Sequence, residues 1–148
     1  MAIAVLGVGV ATALTAMTKI NGIASAARNS TGAQSVAQNE IDKFLSYGPF
    51  NPQKTNSDGS IQVPIDNANN PRTYDLTLGT HVYTNIPIYQ DPATGTVVSG
   101  TLTDTITDIS TTPYGYKIWT YQATVRITYS YLNRNYTLTM NAVRVSDI

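Results

Sequence analysis

Residues 116–131 read YKIWTYQATVRITYSY. Trp119, Tyr121, Ala123, Val125, Ile127, Tyr129 and Tyr131 share one parity, and Thr120, Gln122, Thr124, Arg126, Thr128 and Ser130 occupy the other. Side chains on a strand alternate between faces, so this spacing predicts a long strand with one packed face and one wet face. Turn-forming stretches bracket it, Thr112-Pro113-Tyr114-Gly115 before and Leu132-Asn133-Arg134-Asn135 after. Further strands are expected at Tyr74–Leu78, His81–Tyr89, Thr96–Ile109 and Tyr136–Val145, with a turn at Asp91–Gly95. In the last of these Tyr136, Leu138, Met140 and Ala142 share a face, whereas Val143 and Val145 reverse the parity. That reversal predicts a bulge or a change of cover. Residues 48–73 are dense in Pro, Asn, Gly and Asp and read as a long loop, with one short strand near Ile61–Ile65.

A sheet with one apolar face needs a lid. The chain offers one amphipathic stripe, Ala33, Val36, Ala37, Ile41, Phe44 and Leu45, with Gln34, Gln38, Asp42 and Lys43 largely opposite. Tyr47-Gly48-Pro49 stops it, because Gly favours a C-cap and Pro cannot continue a helix. The expected fold is therefore α+β, with an amphipathic helix over 33–47 lying on an antiparallel sheet over 74–147. Its core would set Val36, Ile41, Phe44 and Leu45 against Trp119, Val125 and Ile127.

Upstream, Met1–Thr18 (MAIAVLGVGVATALTAMT) carries no charge. As a helix it spans roughly 27 Å, just short of a hydrocarbon core of about 30 Å. Ala4 and the pairs Gly7/Ala11 and Gly9/Ala13 are small residues that let helices approach closely. Ile20, Ile23, Ala24 and Ala27 continue at helical spacing, and Arg28–Gly32 is a polar stretch that reads as a kink or a break. If unbroken, the helix would be roughly 70 Å long, too long to bury in a domain of about 100 residues. Its first half must then project, which divides the chain into an apolar helix over 1–27 and a globular domain over 28–148. A secretory signal peptide is the competing reading. Ala24-Ser25-Ala26 would serve as its cleavage site, but no basic residue precedes the apolar run.

Composition excludes more than it assigns. The 148 residues carry nine basic and nine acidic side chains, so nothing provides an electrostatic footprint for nucleic acid. The absence of cysteine removes disulfides, thiol catalysis and thiolate zinc sites. His81 is the only histidine, and spacing identifies no partner for a triad or a metal site. Asn56-Ser57-Asp58-Gly59-Ser60 looks like an oxygen-ligand calcium loop but lacks the later glutamate and reads more simply as turn chemistry. Asp104 and Asp108 share a parity but stand about 13 Å apart by strand rise, too far for a paired-carboxylate site. Gly7-Val8-Gly9 lies within the apolar helix and is no phosphate loop. No motif points to an enzyme, a cofactor or a small-molecule substrate.

The run AIAVLGVGVATALTAM, continued by a helix to FLSYGPF and then by an antiparallel sheet, resembles type IV pilin-like proteins, most nearly minor pilins and type II secretion pseudopilins. Thr124–Tyr131, Tyr136–Met140 and Val143–Arg144 are similar to the closing hairpin of some pseudopilin-like proteins. In that family a basic leader ending in Gly precedes a short apolar lead and a glutamate. This sequence has neither leader nor glutamate in its apolar run, so the family's processing and methylation residues correspond to no position here. The expectation is a reading frame that extends upstream of Met1, which would also supply the basic flank that orients a membrane segment.

The resemblance implies a structural subunit of a bacterial type IV pilus or type II secretion pseudopilus. It would sit in the inner membrane through a single-pass helix, with the C-terminal domain periplasmic or exposed on the filament, and its partners would be other pilin-like subunits and membrane lipid. The absence of cysteine favours the minor or pseudopilin type. The alternative is a secreted or single-pass anchored β-domain that binds glycan or peptide on a tyrosine-rich face, with residues 1–26 as signal peptide or anchor.

Overall fold

A computed structural model of the chain describes residues 2–46, 78–92 and 94–146, with side chains from residue 12 onward. The expected loop over 48–73, its short strand, the calcium-like loop at 56–60 and most of the strand expected at Tyr74–Leu78 lie outside the described residues.

The fold is α+β, and among the described residues it comprises one long helix on a four-stranded antiparallel sheet. Helix α1 runs without interruption over Ala2–Ser46, so the polar stretch at Arg28–Gly32 does not break it. The strands are β1 (Gly79–Gln90), β2 (Val97–Asp108), β3 (Thr120–Tyr131) and β4 (Arg134–Val145), paired in the order β1-β2-β3-β4. Each is paired with the strand before it in sequence, the arrangement that sequential strands adopt most readily, although eleven residues, 109–119, join β2 to β3.

The inner face of β3 follows the alternation read from its sequence. Tyr121, Ala123, Val125, Ile127 and Tyr129 are buried, joined from β2 by Leu102 and Ile106 and from β1 by Ile86 and Ile88. The strand begins at Thr120 rather than Tyr116. Residues 116–118 are exposed and belong to a connection with a tight turn at Pro113–Gly115, closed by a lone bridge between Thr111 and Ile118. Tyr114 sits there at φ 53°, in the left-handed region that disfavours a bulky side chain.

Two further expectations are corrected. The β3–β4 pairing keeps one register from Thr120↔Val145 to Tyr131↔Arg134, so β4 has no bulge. Val143 and Val145 are exposed on the outer face, and the inner position between them belongs to Arg144. Its Nη1 donates a 2.8 Å hydrogen bond to the Phe44 carbonyl, satisfying one of the acceptors that a helix leaves open at its C-terminal end. An arginine thus takes an inner position because a helix end lies above it. The turn after β3 is also shorter than expected. Only Leu132 and Asn133 connect the strands, at φ 48° and 58°, as a two-residue primed turn requires.

Helix α1 lies across β4, β3 and β1. Its buried residues are Asn29, Ala33, Ala37, Glu40, Ile41 and Phe44, one stripe at steps of three and four. Ile41 joins Ala33, Ala37, Val125 and Ile127 in the main cluster, with Val36 half-buried at its rim. Phe44 packs with Ile106, Tyr121 and Ala123 in a second cluster bordered by Trp119. Leu45 does not join the core. It is 45% exposed, because one residue past Phe44 turns it about 100° off the stripe.

Glycine decides how close the helix comes. A Cβ on Gly32 would overlap the Ile88 carbonyl oxygen, and one on Gly100 would stand 2.7 Å from Ile88 Cδ1 and from the Thr128 carbonyl oxygen. Ile88 is thus clasped between two residues that have no side chain. Ordinarily Gly→Ala inside a helix gains about 1 kcal/mol. Gly32→Ala should instead lose about 1–3 kcal/mol by overpacking and lower the thermal midpoint; a raised midpoint would contradict the close approach. Phe44→Ala should cost about 3–5 kcal/mol, read as a lowered denaturation midpoint.

Candidate functional site

Two regions stand out, the forward half of α1 and a polar cluster under its rear half. From Thr12 to Arg28 no residue is buried, and Leu14, Met17, Ile20 and Ile23 are each more than 60% exposed. The β3–β4 turn reaches this part of the helix. The Leu132 side chain comes within 4.0 Å of where a Cβ on Gly22 would lie. About 30 Å of helix runs from Ala2 to Gly22. Of the small residues expected to pack helices together, Ala13 is exposed, and the side chains of Ala4, Gly7, Gly9 and Ala11 lie outside the described residues. Among the described residues no helix is long and apolar enough to cross a membrane.

The second region was not anticipated. Glu40, the only glutamate of the chain, is buried within the helix stripe, and Lys43 Nζ holds its Oε1 at 3.0 Å. Asp104 is buried on β2 between Leu102 and Ile106, and its Oδ1 has no hydrogen-bond partner. His81 stands opposite Asp104 in the β1–β2 register, half-buried. Burial, and next the negative charge of Glu40, push the Asp104 carboxyl up to about 7, with the Lys43 ammonium opposing them. Asp108, four residues along, is exposed and accepts a 2.8 Å bond from the Ser110 N–H. Hydrogen bonds from Ser110 hold it below the usual carboxylate range. The two aspartates therefore play separate parts. Among the described residues no group of three or more histidine, aspartate or glutamate side chains could hold a metal ion.

The signal for this cluster was present in the sequence. Glu40 falls within the stripe Ala33–Ala37–Ile41–Phe44, and Asp104 has the parity of Leu102 and Ile106. Asn29 is a third buried polar residue, one turn ahead of Ala33, with neither side-chain amide atom partnered.

The tyrosines serve the core more than the surface. Tyr121 and Tyr129 are buried, Tyr129 stacks on Tyr136 with centroids 5.1 Å apart, and Tyr83, Tyr89 and Tyr131 pack against the core. Burial raises the Tyr121 and Tyr129 hydroxyls above their ordinary value. Among the described tyrosines only Tyr114 and Tyr116 are well exposed, at the β2–β3 end, where Lys117 Nζ lies 3.3 Å from the centroid of the Trp119 ring.

Compared with family models, curated proteins and solved structures, the chain matches none.

Asp104 gives the fold a pH dependence of definite sign. The unfolded chain releases this proton near pH 4, while the folded chain keeps it to about pH 7. Between those values the native state binds more protons, so stability falls as pH rises and levels off above 7. The total is on the order of 2–4 kcal/mol. Asp104→Asn should flatten the thermal midpoint between pH 5 and 8 and exceed the parent at pH 8. Parallel profiles for the two proteins would show that Asp104 is not the titrating group.

Proposed function

We propose that the chain is a structural subunit that assembles through its N-terminal helix, in the manner of minor pilins and type II secretion pseudopilins. The observation that carries the reading is the run of α1 past its sheet with Leu14, Met17, Ile20 and Ile23 facing solvent. An exposed apolar row on a helix that already has a sheet under its other end contributes nothing to the subunit's own core. Removing it from water requires a bilayer or other helices. The uncharged run Ala2–Thr18 lies in the same helix and supports the same reading.

In this reading the helix holds the subunit in the bacterial inner membrane until it packs among like helices, and the sheet domain faces outward. The partners are other subunits of this kind and membrane lipid. A glycan- or peptide-binding domain with a tyrosine face is the weaker reading, because most of the described tyrosines are committed to the core.

The test uses the full chain. Wild type should float with phospholipid vesicles or sediment as open-ended oligomers, whereas Met17→Glu combined with Ile20→Glu should neither float nor form anything larger than a dimer. The sheet's unfolding free energy should stay within about 0.5 kcal/mol, as exposed substitutions usually leave it. A chain lacking residues 1–27 should be folded and soluble and form nothing larger than a dimer, since the first buried helix residue is Asn29. Unchanged association of the double variant would overturn the proposal.

A further inference from the structure

The two edges of the sheet differ in kind. Edge strand β1 carries two register shifts, Pro87, and Asn85 at φ 59°, all devices that blunt an edge against pairing. Edge strand β4 has none of them. It keeps one register over twelve residues and contains no proline or glycine.

The hydrogen-bond phase shows what this edge presents. The Ser146 N–H donates to the Trp119 carbonyl, so even-numbered residues of β4 bond towards β3 and odd-numbered ones point away. Asn135, Thr137, Thr139, Asn141, Val143 and Val145 therefore direct their N–H and C=O groups outward, and all six are exposed. Among the described residues no strand lies beside them.

We propose that β4 is a self-pairing edge, on which two copies of the chain join antiparallel about a two-fold axis normal to the sheet. A strand that fits must be apolar at alternate positions on the helix side and rich in Thr and Asn on the other. β4 itself has that pattern. One register uses every outward position, with Asn135 facing Val145, Thr137 facing Val143 and Thr139 facing Asn141 of the other copy. On the helix side, Leu138 then faces Ala142 and Met140 faces its own counterpart. These residues and Tyr136 are only half-buried in the single chain, so pairing covers them. Charge permits it too. No charged residue lies between Arg134 and Arg144, and this register sets Arg144 opposite Tyr136 rather than opposite another cation.

The two-fold sends the two helices in opposite directions. A β4 pair and a helix-packed array of one polarity are therefore alternative states of the chain, and the inference goes beyond the assembly reading.

The chain has no native cysteine, which makes the axis directly testable in the full chain. Met17→Glu and Ile20→Glu are kept in place to silence helix association. With Met140→Cys added, the two sulfurs should meet across a non-hydrogen-bonded pair, where Cα atoms lie about 4.5 Å apart. Mild oxidation should convert most of the protein to a covalent dimer, and Thr137→Cys should cross-link at least tenfold less. Adding Thr139→Pro, or the milder edge charge Thr139→Lys, should cut the Met140→Cys dimer at least tenfold. A chain that sediments as a monomer, a dimer indifferent to both Thr139 variants, or equal cross-linking at positions 137 and 140 would each overturn the proposal. Cross-linking at 140 would stand even if the helix variants failed to abolish membrane association, so the two readings fail separately.

Discussion

The helix can lie on this sheet only because nothing projects from Gly32 and Gly100 where Ile88 passes between them. That clasp fixes the height and the rotation of α1 together. With Gly32 against the β1 backbone, helical geometry turns Ala33 and Ala37 to the sheet next, and then Ile41 and Phe44. Small residues come first and large ones last, so the helix rests close to β1 at one end and stands on Phe44 at the other. The direction in which the forward half leaves the sheet follows from the same rotation. A side chain at position 32 would move the whole lever.

Close packing also traps polar groups. Glu40 and Lys43 pair under the rear half, Asp104 keeps a carboxylate oxygen without a partner, and both amide atoms of Asn29 are buried alone. An unsatisfied buried polar group costs about 1–3 kcal/mol, so a lid chosen for stability alone would carry aliphatic residues here. Arg144 works in the opposite direction, closing the open end of α1 onto β4 from an inner strand position. The rear half is therefore tied at its end and weakened in its middle. Protonation of Asp104 decides how much it is weakened at a given pH.

What could be read from the sequence was periodicity, and what could not was proximity. The alternation over Tyr116–Tyr131 identified the inner face of β3, and the stripe from Ala33 to Phe44 identified its lid, because each property belongs to one element. Gly32 lay inside a polar stretch that read as a kink or a break. A glycine that weakens a helix and one that admits a neighbouring strand look alike in sequence. Val143 and Val145 read as a parity reversal because apolar residues were expected inside, yet Arg144 is held there by the Phe44 carbonyl, a contact one hundred residues away in the chain. Leu45 went astray by a single residue, enough at 100° per step to leave the core. Glu40 and Asp104 carried the right phase for burial, but a charged side chain on an apolar parity is legible only when its counterpart across the interface is considered with it.

Two surfaces remain without cover among the described residues, the forward face of α1 and the outward edge of β4. They differ in physics as well as in place. The forward helix is apolar on more than one side, since Leu14 and Ile23 lie about 180° apart around it, so it accepts lipid or any helix able to pack closely and gains from many neighbours at once. The β4 edge offers directional hydrogen bonds at fixed spacing, accepts one strand in one register, and is then saturated. Association through the first can grow without limit, whereas association through the second stops at two. Because the second also reverses helix polarity, the outcome depends on which surface is satisfied first. A hydrophobic environment at the helix would favour the open-ended form, and dilution away from it the closed pair.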